Sequence, residues 1–203
     1  MSKGRFESFS DGVIAVAITL LVLNLRVPAP SAHRSLLHGL THQWPAYAAY
    51  ATSFITIGII WINHHVMVGR LSRPDHAIMM LNLVLLLTIA VLPFATNVMA
   101  TYLTQPHGEK LAAAVYAGAF LLMSLAFATL NRHILFAKAH LLTVQLPAQE
   151  RRRILLRTIS GLVPYAIATA LAAVSPYITL AICAGLAAFY ATPLASSATR
   201  SQE

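Results

Sequence analysis

Asp11 is the residue most able to do chemistry in this chain. It stands at the head of an apolar run, GVIAVAITLLVLNL, that continues to Leu25. A carboxylate at that depth of a membrane is costly unless something pairs with it, so it marks function or obligatory packing. A second group of polar side chains lies at Trp61, His64 and His65, shortly before Arg70. Trp61 and His65 are four residues apart and share a helix face. The spacing predicts a carboxylate–imidazole pair between Asp11 and His65, with Arg5 able to join at the membrane surface. Such a pair either locks two helices together or passes protons between them.

The rest of the first run has a different character. At about 100° per residue, Gly12, Val16, Thr19, Leu20, Leu23 and Val27 fall on one face of a helix. Asp11 points elsewhere. The stripe is aliphatic with one hydroxyl, Thr19. Stripes of this kind pack on lipid or on another helix, or line a narrow path. Metal chemistry finds no support. Adjacent histidines on a helix point about 100° apart and do not converge on one ion. There is no HExxH motif and no cysteine pair, because Cys183 is the single cysteine. An intrachain disulfide is therefore excluded, and no cofactor is expected. Enzyme readings are weak for the same reason. No serine-centred nucleophile elbow is present, and only Asp11 among the 6 acidic residues lies inside an apolar run. The carbonyl-filter signature TVGYG is also absent.

The elements that must hold these residues follow from composition. The chain has 203 residues, 58% hydrophobic and 10% charged, against roughly 25% charged in a soluble domain. Apolar runs recur along its whole length, which predicts an all-α membrane protein. The runs place six transmembrane helices at about 9–25, 46–68, 77–101, 111–136, 154–174 and 177–194. Together they form one membrane domain over residues 1–203. Breakers Pro28 and Pro30 follow the first span. Pro93 is expected to kink the third, and Pro176 turns the chain between the last two. Asn82, Thr88, Asn97 and Asn131 are candidates for hydrogen bonds between helices. The polar segment 31–43, with His33, His38 and His42, is expected to form a short helix at the outer interface. Glu7 and Asp11 precede the first apolar stretch and no small-residue cleavage site breaks it, so no cleavable signal is expected.

Net charge is +8. In a soluble protein this would suggest nucleic acid. Here the cations are loop residues, and their asymmetry orients the chain. Lys3, Arg5, Arg70, Arg73, Arg132, Lys138, Arg151, Arg152, Arg153, Arg157 and Arg200 fall on one side, against Arg26, Arg34 and Lys110 on the other. The positive-inside rule then puts both termini in the cytoplasm, as an even number of spans requires. The segment from Lys138 to Arg157 is expected to be a cytoplasmic loop. Its Arg151–Arg153 run marks the membrane surface and contacts anionic lipid.

The string Arg5-x-x-x-Phe9-Ser10-Asp11-Gly12, with Ala15, Thr19-Leu20-Leu21 and Leu23 after it, resembles the hallmark of the transmembrane-protein-175 family of potassium channels. Trp61-Ile62-Asn63-His64-His65 is similar to that family's Trp-x-x-His-His. A chain with one six-helix repeat resembles the prokaryotic members, which are tetramers. The resemblance implies a pore lined by the first helix of each subunit, with hydrophobic residues at the constriction. By position these are Val16, Leu20 and Leu23. Thr19 matches a hydroxyl-bearing layer linked to ion preference, where potassium would rest transiently. Val16 stands where a bulkier Leu or Ile is usual, which implies a wider ring. Arg5, Phe9, Ser10, Asp11, Trp61 and His65 match a structural network behind the pore.

The reading is a homotetrameric potassium-preferring cation channel, multi-pass in the cell membrane, with potassium ions and the bilayer as its partners. The alternative is a secondary transporter or proton-coupled carrier that uses Asp11 and His65 as a relay.

Overall fold

A bilayer offers no water to backbone N–H and C=O groups, so apolar runs of spanning length fold as helices that satisfy themselves. The computed structural model describes residues 2–29 and 35–192. Among them every regular element is helical, apart from one isolated antiparallel bridge between Leu71 and Leu142. Helix α1 spans Lys3–Leu20 and tightens into a 3-10 turn over Leu21–Asn24. The short α2 spans Leu36–His42, capped by Ser35, whose hydroxyl accepts from the His38 N–H. Then come α3 Trp44–Gly69, α4 His76–Tyr102 and α5 Glu109–Arg132. A π-turn, His133–Ala137, extends α5. The last three are α6 Ala148–Ser160, α7 Leu162–Leu171 and α8 Pro176–Ala191.

Among the described residues, five helical stretches are long and apolar enough to cross a membrane: Lys3–Asn24, Trp44–Gly69, His76–Tyr102, Glu109–Ala137 and Ala148–Leu171. Helix α8 is apolar but has only 16 residues. This is the all-helical, multi-span class that the composition demands. The boundaries differ where apolarity is a poor guide to helix ends. The first helix begins at Lys3 rather than Phe9, because its charged first turns lie outside the apolar core yet remain helical. Pro93 sits inside a continuous α4. The expected loop from Lys138 to Arg157 is half helix, since α6 already starts at Ala148 and carries the arginine run. Pro30, His33, Arg34, the end of the sixth span to Leu194 and the tail with Arg200 lie outside the described residues.

Helix α4 lies at the centre and packs against α1, α3 and α5, while α7 and α8 close the far side of α5. Ile57, Leu85, Ile89, Leu92, Tyr116 and Phe120 are fully buried between them. A polar knot joins the three central helices. The Ser53 hydroxyl lies 2.8 Å from Thr96 Oγ1 and 3.1 Å from the Tyr116 hydroxyl, which donates to the Ala49 carbonyl. One end of the bundle is stapled by its loops. Ser72 donates its N–H and its hydroxyl to the Leu141 carbonyl, and Thr143 donates both of its own to the Arg70 carbonyl. Lys3 Nζ donates to the Gly69 carbonyl at 2.8 Å, tying the start of α1 to the end of α3.

Candidate functional site

Helix α1 has two faces of opposite fate. Phe6, Ser10, Ile14, Ala17 and, in the 3-10 turn, Leu21 are buried against the other helices. Their spacing of three to four residues is that of one helix side. On the other side Val16 is 57% exposed, Leu20 44% and Leu23 70%, whereas Ile14 is 1% exposed. Gly12 and Thr19 are also exposed. The chain therefore leaves the predicted stripe uncovered, along a shallow groove that Ala90 of α4 helps to line. The Thr19 hydroxyl donates to the Val16 carbonyl at 2.9 Å. Its proton is thereby committed, and its oxygen is left as an acceptor.

Behind the stripe, polar side chains tie α1 to α3 and α4. Asn82 of α4 donates its amide to Ser10 Oγ at 2.9 Å, and its Oδ1 lies 2.8 Å from His64 Nε2. The Ser10 hydroxyl in turn donates to the Phe6 carbonyl at 3.0 Å. All three side chains are buried, and the Phe6 ring stacks on His64 with centroids 6.4 Å apart. One residue further along α1, the Trp61 indole N–H donates to Asp11 Oδ1 at 2.9 Å. His65 leans on the Trp61 ring, with centroids 6.3 Å apart.

This corrects the expected pairing of Asp11. Its partner is Trp61, not His65 or Arg5. Among the described residues the ion pairs are Lys3 with Glu7 and Lys138 with Asp75. Arg5, Phe9 and His65 are exposed. The buried imidazole is His64, and a signal for it exists in the sequence. Ile57, Ile60, His64 and Met67 fall at spacings of three and four and are all buried, whereas His65 shares the exposed side with Trp61. Of the other candidates, Asn131 does reach across, donating to Thr158 at 2.8 Å. Thr88 bonds the Leu85 carbonyl and Asn97 accepts from Thr101, each within its own helix. No group of three or more metal-ligating side chains occurs among the described residues.

Fold and site define an all-helical, multi-pass membrane protein in which one helix, pinned from behind by polar contacts, keeps an aliphatic face uncovered. The family model described as endosomal/lysosomal potassium channel TMEM175 matches residues 5–93, which contain α2, α3 and most of α1 and α4. A potassium channel of Streptomyces collinus is 42% identical over 188 residues, covering 93% of this chain and 91% of that protein. One from Chamaesiphon minutus is 38% identical over 190 residues, covering 93% of each. The crystal structure of a lysosomal potassium-selective channel TMEM175 homolog from Chamaesiphon minutus superposes with a TM-score of 0.81 at 36% identity, covering 93% of this chain and 96% of that one. The chain belongs to the TMEM175 family, a family of ion channels and not of enzymes.

Proposed function

We propose that this chain forms a homotetrameric, potassium-preferring channel of the cell membrane, with one pore on the four-fold axis lined by α1 of each subunit. Residues 1–203 act as a single channel unit, α8 being its sixth span, and both termini face the cytoplasm. The observation that carries this reading is the uncovered stripe. Val16, Leu20 and Leu23 stay exposed on a helix whose other side is fully packed. Four such faces around an axis would cover one another and form stacked aliphatic rings. Water leaves a narrow apolar ring readily, so these rings gate by dewetting. Four Thr19 oxygens, with their protons turned to the Val16 carbonyls, would present lone pairs to a cation between them.

The membrane relatives named as potassium channels support the choice of ion. A proton relay through Asp11 and His65 finds no support, because the group on Asp11 is an indole N–H, which donates a hydrogen bond but takes no proton. The test is flux in liposomes under opposing potassium and sodium gradients. Potassium-driven charge movement far faster than a carrier turns over is expected. Slow flux coupled to a proton gradient would refute the channel.

A further inference from the structure

The π-turn at the end of α5 builds a site that neither the stripe nor its supporting network uses. In a π-turn the hydrogen bond spans five residues, as in Lys138 N–H to the His133 carbonyl at 3.0 Å. Such turns are widened and recur at functional positions. Here the turn and α4 enclose a pocket of about 250 Å³ lined by Leu81, Thr129, Arg132, His133, Phe136 and Ala137. That is smaller than the roughly 300–1,000 Å³ of a drug-sized site, and it suits a headgroup.

The chemistry of the walls is specific. Arg132 is exposed and lines the pocket. His133 Nε2 is shielded from solvent and has no hydrogen-bond partner. Leaving a ring nitrogen shielded and unpartnered is costly, so rotation of the His133 ring to bring Nε2 to a ligand in the pocket would relieve that cost. Thr129 spends its hydroxyl proton on the Leu125 carbonyl, so Arg132 and His133 are the donors. Leu81, Phe136 and Ala137 supply an apolar floor. The carboxylate next to the site, Asp75, is occupied by Lys138 at 2.7 Å and does not repel an anion at full strength. Arg151 is not a wall of the pocket. It turns inward, donates to the Leu135 carbonyl at 3.1 Å and lies 5.7 Å from the Phe136 ring centroid, which holds the π-turn in place.

Location selects the ligand. The pocket lies at the last turn of the apolar stretch Glu109–Ala137, the level at which lipid phosphates meet the hydrocarbon. It also opens away from the uncovered stripe. Leu81 and Ala90 are nine residues apart on α4, which at about 100° each puts them on opposite flanks, and Ala90 borders the α1 groove. A free anion would gain from Arg132 and His133 alone, whereas a lipid also covers Leu81 and Phe136. We infer that Arg132 and His133 bind the phosphodiester headgroup of an anionic phospholipid in this pocket.

The test uses the purified full chain in detergent and needs no ion current. Dioleoyl phosphatidylglycerol is titrated in and the thermal midpoint is read against phosphatidylcholine with the same acyl chains. A rise with the anionic lipid alone is expected. It should be lost in the Arg132→Gln/His133→Gln variant, and equally in Ala137→Phe, which fills the pocket without changing charge. It should persist in Arg152→Gln/Arg153→Gln, which alters two exposed arginines of α6. If the first variant fails to fold, Ala137→Phe decides. An equal rise with phosphatidylcholine, a rise that survives in Ala137→Phe, or loss in the α6 variant overturns the site. A full rise with inorganic phosphate at the same concentration overturns the lipid as its source.

Discussion

The Trp61 indole N–H meets the Asp11 carboxylate at 2.9 Å, and this bond joins α3 to α1 across 50 residues of sequence. It solves the problem of a carboxylate at the head of a membrane helix without a second charge. The donor is neutral, so nothing is left to titrate on the α3 side of the bond. A hydrogen bond to a charged group contributes about 1.5–3 kcal/mol. Trp61→Phe keeps most of the ring and removes the donor, so it should lower the thermal midpoint measurably. Asp11→Asn keeps an acceptor and should lower it less. If Trp61→Phe melts like the native protein, the bond contributes nothing and Asp11 is held by its helix alone.

Asn82 is the hinge of the buried network, because it serves α1 and α3 at once. Asn82→Leu would leave both Ser10 and His64 without that partner. The orphaned imidazole costs about 1–3 kcal/mol, and Ser10 loses its amide donor but keeps its bond to the Phe6 carbonyl. Ser10→Ala leaves only the Asn82 amide short. Losing both of its bonds predicts that Asn82→Leu lowers the thermal midpoint more than Ser10→Ala does, with both proteins still helical by circular dichroism. The reverse order would mean that His64 finds another partner or does not need one.

Much of this arrangement is legible in the sequence. Apolar runs of spanning length set the helices, because backbone groups in lipid have one solution. The α1 stripe follows from period alone, and Val16, Leu20 and Leu23 are among the residues left exposed. Pairing across helices was harder. Asp11 could have met His65, Arg5 or Trp61 at similar depth, and the choice rests on the rotation of α3, which sequence spacing does not fix. Read for burial instead of charge, the register Ile57, Ile60, His64, Met67 would have picked the right histidine. The π-turn at His133 and the inward turn of Arg151 have no local sequence signal. They depend on how α6 docks against α5.

The Asp75–Lys138 pair carries a pH dependence with a definite sign. Its hydrogen bond from Lys138, and then the Ile78 N–H, hold the Asp75 carboxyl below its ordinary value of 3.8. A depressed folded value stabilises the protein fully above the unfolded value and loses that contribution as pH falls through the folded one. Both side chains stay partly exposed, at 30% and 29%, so the gain is small, about 0–1 kcal/mol, and salt weakens it. Asp75→Asn keeps an oxygen for the Ile78 N–H. It should melt slightly below the native protein at neutral pH, and the gap should close as the pH falls through the depressed folded value of Asp75. A constant gap across that range would show that the pair has no titrating share in stability.

Thr19 tests ion preference separately from folding. Its side chain is exposed and its one bond is to the Val16 carbonyl of its own helix. Thr19→Val keeps the shape and removes the oxygen, so gel-filtration size should not change. Potassium preference over sodium should fall in the proposed pore, whereas Thr19→Ser, which restores the hydroxyl, should recover most of it. An unchanged reversal potential in mixed gradients for Thr19→Val would remove this residue from the ion path.

The decisive contrast lies between the two sides of α1. Leu20 and Leu23 are exposed, and Ile14 is buried at 1%. A polar group placed on the exposed side meets no packed neighbour in its own subunit, whereas one placed at Ile14 has to sit unpaired in the core. Burying an amide without a partner costs about 1–3 kcal/mol on the evidence of substitutions in proteins. Ile14→Asn should therefore lose thermal stability and yield less folded protein. In the proposed tetramer, Leu20→Asn or Leu23→Asn replaces an aliphatic ring with one that can hold water. An ion crossing a dry ring sheds hydration with nothing in return, so wetting it lowers the barrier. Those two variants should assemble at native size, conduct more than the native protein and discriminate less between potassium and sodium. Assembly at native size with native conductance in both would mean that ions pass elsewhere. The uncovered face of α1 would then be a surface for packing against lipid or a neighbouring subunit, and the pore would have to be sought between other helices.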